Sequence, residues 1–203
     1  MIALALALVC VPSSTVTPML EDGAPIARVE NRRFTKDDRV LTRVGFAWWS
    51  RDDLRVNPGI AIEGTWYLTE QLGLDLVSAT VYFSTLSASA DALRRQTGLL
   101  PDSQRPLVRA MAGARWSFAY GKVLLESLGV IVHLDVAARA HVGLVITEKA
   151  PNPGGDLGLA VQARAGDLVS IWIDGGWLAT YESRQSASFA SGLSLAVGVG
   201  LLW

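Results

Sequence analysis

From Arg39 to Trp203, side-chain character changes at every second position, the period of strands whose two faces meet different surroundings. The final segment shows it most plainly. Leu193, Leu195, Val197, Val199, Leu201 and Trp203 alternate with Ser194, Ala196, Gly198, Gly200 and Leu202, so one face is large and apolar and the other mostly small. Between Val130 and Leu144, valines, leucines and alanines at even positions oppose Ile131, His133, Asp135, Ala137, Arg139, His141 and Gly143. Six further segments repeat the alternation. Val40, Val44, Phe46 and Trp48 oppose Arg43, Gly45 and Ala47; Ile60, Ile62, Trp66 and Leu68 oppose Glu63, Thr65 and Tyr67. Leu72, Leu74 and Leu76 oppose Asp75, and the outer face of that segment turns more polar past Ser78. Val108 to Trp116 sets Arg109, Gly113 and Arg115 against alanines and Trp116; Leu157 to Ala163 opposes Gln162 and Arg164. Val169, Ile171, Ile173 and Trp177 oppose Ser170, Asp174 and Gly176. Eight strands of roughly 9 to 11 residues each suffice to cross a bilayer at a tilt.

The connections alternate in length. Thr69 to Gln71 and Ala165 to Asp167 read as tight turns, with Phe118 to about Gly129 a longer link on the same side. Arg51 to Asn57, Ser84 to Arg105, Thr147 to Asp156 and Glu182 to Ser188 read as loops on the other. Short turns at one end and longer loops at the other are the arrangement of outer-membrane barrels. The pattern therefore predicts an all-β fold: an eight-stranded antiparallel up-and-down transmembrane β-barrel over residues 39–203, in the bacterial outer membrane with lipid around it. Outward aromatics should then collect at the two interfaces. Trp48, Tyr82 and Trp177 are expected in the outer belt, Trp66, Trp116 and Trp203 in the inner one; Trp172 faces inward and does not fit. Leu195, Val197, Val199, Leu201 and Trp203 form an alternating strand closed by an aromatic, which resembles the insertion signal read by the barrel-assembly machinery.

Composition agrees with dispersed apolar surface. Half of the 203 residues are hydrophobic and 18 % are charged, with a mean hydropathy of +0.31. No run reaches the roughly 18 consecutive apolar residues of a membrane helix. The net charge of −1 offers no footing for a nucleic-acid partner. Ile2 to Val11, followed by Ser13, Ser14 and Thr15, reads as a signal-peptide core within residues 1–15, although no Lys or Arg precedes it. Residues 16–38, charged and without a sustained period, read as a periplasmic arm. Cys10 is the sole cysteine, which excludes an internal disulfide; Ala7 and Val9 match a lipidation site poorly.

Inward charges comprise Arg43, Arg109, Arg115, Arg139 and Arg164 against Glu63, Asp75, Asp135 and Asp174. Eight strands enclose room for side chains but not for a broad channel. These charges are therefore expected to pair as an interlocked interior network, with His133 and His141 as members. The functional alternative is a narrow arginine-lined pore. A His–Asp pair could also orient a catalytic imidazole, but no serine shares the local face of His141. No clustered Cys or His spacing suggests a metal. The expected catalytic, metal and cofactor residues are none. Ala88 to Gln96 could form a short helix capped near Ser87 or Ser89, with Arg94 and Arg95 exposed. The loop 84–105 is the expected contact for other envelope proteins.

NRRF (Asn31 to Phe34), TWYLTEQLGLDL (Thr65 to Leu76), YGK (Tyr120 to Lys122) and HLD (His133 to Asp135) resemble an outer-membrane β-barrel family of myxobacteria and related deltaproteobacteria. The likeness spans about Val29 to Trp203. It implies barrel and envelope location; some members serve adventurous gliding motility, and the family supplies no catalytic residues. The expected function is a non-enzymatic structural or docking component of an envelope complex. A lipid-modifying barrel enzyme, a narrow pore and a soluble ligand-binding barrel or sandwich are the alternatives.

Overall fold

A computed structural model describes residues 36–51, 55–98, 104–125, 130–164, 168–183 and 188–203. The expected signal segment, Cys10, NRRF and most of the arm lie outside the described residues. The strands are β1 (Val40–Arg51), β2 (Arg55–Tyr67), β3 (Leu72–Tyr82), the two-residue β4 (Thr85–Leu86), β5 (Pro106–Leu125), β6 (Val130–Thr147), β7 (Pro151–Arg164), β8 (Val169–Tyr181) and β9 (Phe189–Leu202). All pairings are antiparallel, in the order β1-β2-β3-β5-β6-β7-β8-β9, and β1 pairs with both β2 and β9, which closes the ring. β4 pairs with Arg55 and Val56 of β2 in the register of β3, and so continues β3 beyond Phe83 and Ser84 within the wall. The fold is a closed eight-stranded antiparallel up-and-down β-barrel. Closure leaves no sheet edge along the wall.

The alternation in sequence becomes an alternation in burial, with polarity inverted relative to a water-soluble barrel. Along β9, Leu193, Leu195, Val197, Val199 and Leu201 are exposed while Ser194, Ala196, Gly200 and Leu202 are buried. Along β1, Trp48 is 40 % exposed and its neighbour Trp49 fully buried.

Several segment boundaries differ from the sequence expectation. Phe118 to Leu125, read as a link, continues β5 and pairs down to Leu125↔Val130, so a long hairpin stands at the end where β1 begins and β9 finishes. β6 and β7 likewise extend to Thr147 and from Pro151, which takes Asp156 out of the expected loop and into the wall. The same applies to Arg51 in β1 and to Arg55–Asn57 in β2. Barrel strands lengthen wherever a neighbour offers hydrogen bonds, irrespective of side-chain alternation.

Tyr82 requires a correction. It was expected in the outer belt but lies inside, 4 % exposed. The register shifts between Asp75 and Ser78, so Leu76 and Val77 both point outward and the parity of β3 reverses. Ser78, Thr80 and Tyr82 thereby face the interior. This bulge also explains why the segment reads as polar on its outer face past Ser78.

The helix α1 (Ala88–Thr97) matches the expected span to one residue. Ser87 Oγ accepts from the Ala90 amide at its start, and Gly98, at φ 70°, ends it in the left-handed conformation.

Candidate functional site: a charged lumen

Three apolar clusters and a polar layer fill the interior. Leu41, Tyr67 and Leu202 pack together near the end where β1 begins, called here the inner end. Ala47, Ala61, Trp172 and Ala196 form a middle cluster, and Trp49, Tyr82, Met111, Val145 and Leu178 an outer one. Trp172, the aromatic that fits no belt, has its indole across two glycines. Gly45 and Gly198 are register partners on β1 and β9, and a Cβ on Gly45 would sit 2.8 Å from the Trp172 ring. The indole donates to Val199 O at 3.1 Å, and the Arg43 guanidinium lies 4.7 Å above its ring.

The expected network residues lie at the lumen. Arg43, Glu63, Asp75, Arg109, Arg115, His133, Arg139, His141, Arg164 and Asp174 are buried; Asp135 has a side chain 12 % exposed. The centre pairs four arginines with four carboxylates. Arg43 bridges Glu63 and, at 3.3 Å, Asp174; Arg115 holds Asp75 at 2.9 Å through Nε. Arg109 and Arg139 share Asp156, at 3.4 and 3.3 Å. A planar guanidinium suits this bridging, because its five donors diverge in one plane. Thr65 also donates to Asp75, and Ser78 to Glu63 at 3.3 Å.

Asp156 was missed by sequence reasoning. Gly154, Gly155 and Gly158 blur the alternation around it, which made it read as the end of a loop. A second omission is the buried pair of Arg51 and Glu182, 2.9 Å apart near the outer end, with Arg51 4.9 Å above the Trp49 ring. Both residues stood in expected loops, where no alternation marks an inward side chain. The third is Lys36, placed in the arm by sequence. A turn over residues 36–39 folds its side chain into the inner mouth, where Nζ meets Asp135 at 2.5 Å and Ser117 at 2.9 Å. The expectation that lumenal cations are all arginines is therefore corrected.

His141 Nε2 lies 2.7 Å from Asp75 Oδ2, while Arg139 Nη1 lies 3.3 Å from Nδ1. Arginine can only donate, so Nδ1 accepts and the proton belongs on Nε2, towards the carboxylate. His133 meets the Tyr120 hydroxyl near the inner rim, and Asp135 is engaged by Lys36 and Ser117. His133 and Asp135 thus engage different partners among the described residues. Among the described residues no group of three metal-ligating side chains comes together.

Of the expected belt, Trp48, Trp66, Trp116, Trp177 and Trp203 are exposed, and only Tyr82 departs. Trp66 pairs with Val40, whose carbonyl accepts from the Trp203 amide, and Trp116 pairs with Leu72 at the start of β3. These three share the inner end. At the outer end, exposed Phe83, Tyr181 and Phe189 join Trp48 and Trp177, with Tyr181 and Phe189 edge to face at 5.4 Å.

No family model matches the sequence, and neither does any curated protein. A search of solved structures returns the outer membrane protein OprG from Pseudomonas aeruginosa, at 9 % identity and a TM-score of 0.34, covering 83 % of this chain and 97 % of that one.

Proposed function

We propose that this chain is a non-enzymatic outer-membrane β-barrel that serves as a structural or docking component of a bacterial envelope complex. The observation that carries the reading is the inverted polarity: a continuous apolar exterior around a closed barrel whose charges are buried and paired. In water such a surface would far exceed the few hundred Å² of contiguous apolar patch a soluble monomer tolerates. The dimensions fit. The thirteen residues from Phe189 to Leu201, at about 3.3 Å each and a tilt near 40°, rise roughly 30 Å, close to the apolar band of a barrel wall.

The filled lumen supports a role other than conduction. Four arginines and four carboxylates occupy the centre, and apolar clusters lie towards both ends. Docking then falls to what stands outside the wall. The capped helix α1 presents Leu93, Arg94 and Arg95 to solvent on the loop side. β9 offers the alternating face that the barrel-assembly machinery would take up. The sequence resemblance adds gliding motility as the process such a component would serve.

The test is replacement of Ser87–Gly98 by a short flexible linker in the native host, followed by membrane fractionation and in-cell cross-linking. The barrel should still fractionate with the outer membrane and keep heat-modifiable migration, while losing cross-links to its envelope partner. Ion conductance of the wild type in planar bilayers, or partner cross-links unaffected by the replacement, would contradict the proposal.

A further inference from the structure

The inner mouth contains a cation that the network does not use. Arg164 is 5 % exposed on the inward face of β7, and no ion pair joins it to any described residue. Its Nε has no hydrogen-bond partner, and neither has Nε2 of Gln162, two positions earlier on the same face and also 5 % exposed. Inward side chains two residues apart on a strand stand roughly 7 Å from each other, a span one small ion can bridge. Both unsatisfied groups are donors. A buried donor left unpaired is costly, and a buried unpaired guanidinium more so.

The surroundings reinforce the sign. Arg164 pairs in register with His133 and Ser170, and Gln162 with Asp135 and Trp172. Ser170 gives its hydroxyl to Gly200 O. Asp135 is already neutralised by Lys36 and further engaged by Ser117. Glu70, half-buried at the rim, accepts from the Lys36 amide at 2.7 Å. Burial holds the Lys36 ammonium below the ordinary lysine value; Asp135 opposes that shift and the charge of Arg164 adds to it. The two buried cations, Lys36 and Arg164, thus meet one carboxylate inside the mouth, Asp135, whose side chain is 12 % exposed, and a second, Glu70, at the rim.

We infer that the inner mouth is a binding site for a small oxyanion, phosphate or carboxylate, held by the Arg164 guanidinium and the Gln162 amide with Lys36 alongside. Guanidinium takes either anion in bidentate fashion, and the amide supplies a further donor. The site faces the end at which both β1 begins and β9 finishes, away from the loops, so an anion reaches it from that aqueous side.

The full chain in detergent micelles is titrated calorimetrically with inorganic phosphate and, in a separate arm, with acetate, at neutral pH and low chloride. Saturable one-to-one binding is expected for at least one of the two, and the stronger arm tells a tetrahedral from a planar ligand. Arg164→Gln should weaken it at least tenfold, Gln162→Leu several-fold, and Arg95→Gln on α1 not at all. The stability readout separates this residue from its neighbours. Because no described residue pairs with Arg164, Arg164→Gln should unfold in urea at no lower a concentration than wild type in the absence of anion. Added phosphate or acetate should raise the wild-type midpoint but not the variant's. Absence of saturable binding in both arms, or equal binding by Arg164→Gln, overturns the assignment; so does a marked loss of anion-free stability in that variant.

Discussion

Tyr82 lies against Trp49 inside the barrel, their ring centroids 5.8 Å apart and their planes tilted by 43°. Strict alternation along β3 would put Tyr82 outside. The contact exists because one extra residue in the Leu76–Val77 bulge reverses the parity of everything after it, which also aims Ser78 at Glu63 and Thr80 at Arg109. One bulge therefore completes both the outer apolar cluster and part of the charge network.

Deleting Val77 removes the extra residue and lets Leu76 alone stand between Asp75 and Ser78. Alternation then runs unbroken with Ser78, Thr80 and Tyr82 still inward, because the register on both neighbouring strands is kept. The expected outcome is a deletion variant that still reaches the heat-modifiable folded form on gels. Failure of the deletion to fold would contradict the assignment of Leu76–Val77 as a two-residue bulge.

The network predicts a contrast between single and paired substitutions. Glu182→Ala removes the carboxylate 2.9 Å from the buried Arg51, and taking one partner from a buried ion pair costs about 3–5 kcal/mol. The double variant Arg51→Met with Glu182→Leu removes both charges and should recover most of that loss, because apolar replacements of similar volume avoid desolvating ions. Urea unfolding in lipid vesicles measures both. Equal destabilisation by single and double variants would contradict the pairing.

Gly45→Val tests the seat of Trp172. A Cβ there would meet Val197 O at 2.3 Å as well as the indole, so β1 and β9 must part or the ring must move. Overpacking of this kind costs roughly 1–3 kcal/mol. A lower unfolding midpoint with altered near-ultraviolet circular dichroism is expected; an unchanged spectrum would count against this packing.

The loop helix should respond to its cap and to acid without disturbing the wall. Ser87→Ala removes the acceptor for the Ala90 amide, worth about 1 kcal/mol locally. The hydrogen bond from Arg95 holds Asp91 below its ordinary value. A carboxylate with a depressed folded value stabilises above the unfolded value, and that contribution is lost as pH falls through the folded one. Amide protection factors in residues 88–97, taken against the intrinsic exchange rate at each pH, should fall in Ser87→Ala and again on acidification below the usual aspartate range, with β5–β9 unaffected.

The sequence made the strand count, the inverted faces and the central charges legible, because each follows from a period of two that the barrel enforces. Residues outside that period stayed hidden. Asp156 sits among glycines that show no face; Arg51 lies where β1 overruns the alternating stretch and Glu182 one residue past the end of β8; Lys36 enters the lumen through a turn. Tyr82 was misplaced because parity propagates along a strand and a bulge carries no side-chain signature of its own. That no described residue pairs with Arg164 was invisible for a different reason: alternation gives the direction of a side chain but not which carboxylate reaches it.

Adjacent Trp48 and Trp49 test the inverted polarity most directly, since one should touch lipid and the other the interior. Two variants, each retaining just one of these tryptophans and carrying Phe at the remaining six positions, are refolded into vesicles of lipids brominated along the acyl chains. Strong fluorescence quenching of Trp48 with little quenching of Trp49 is the expected result. Equal quenching of the two, or quenching confined to Trp49, would contradict a lipid-facing exterior around a charged core.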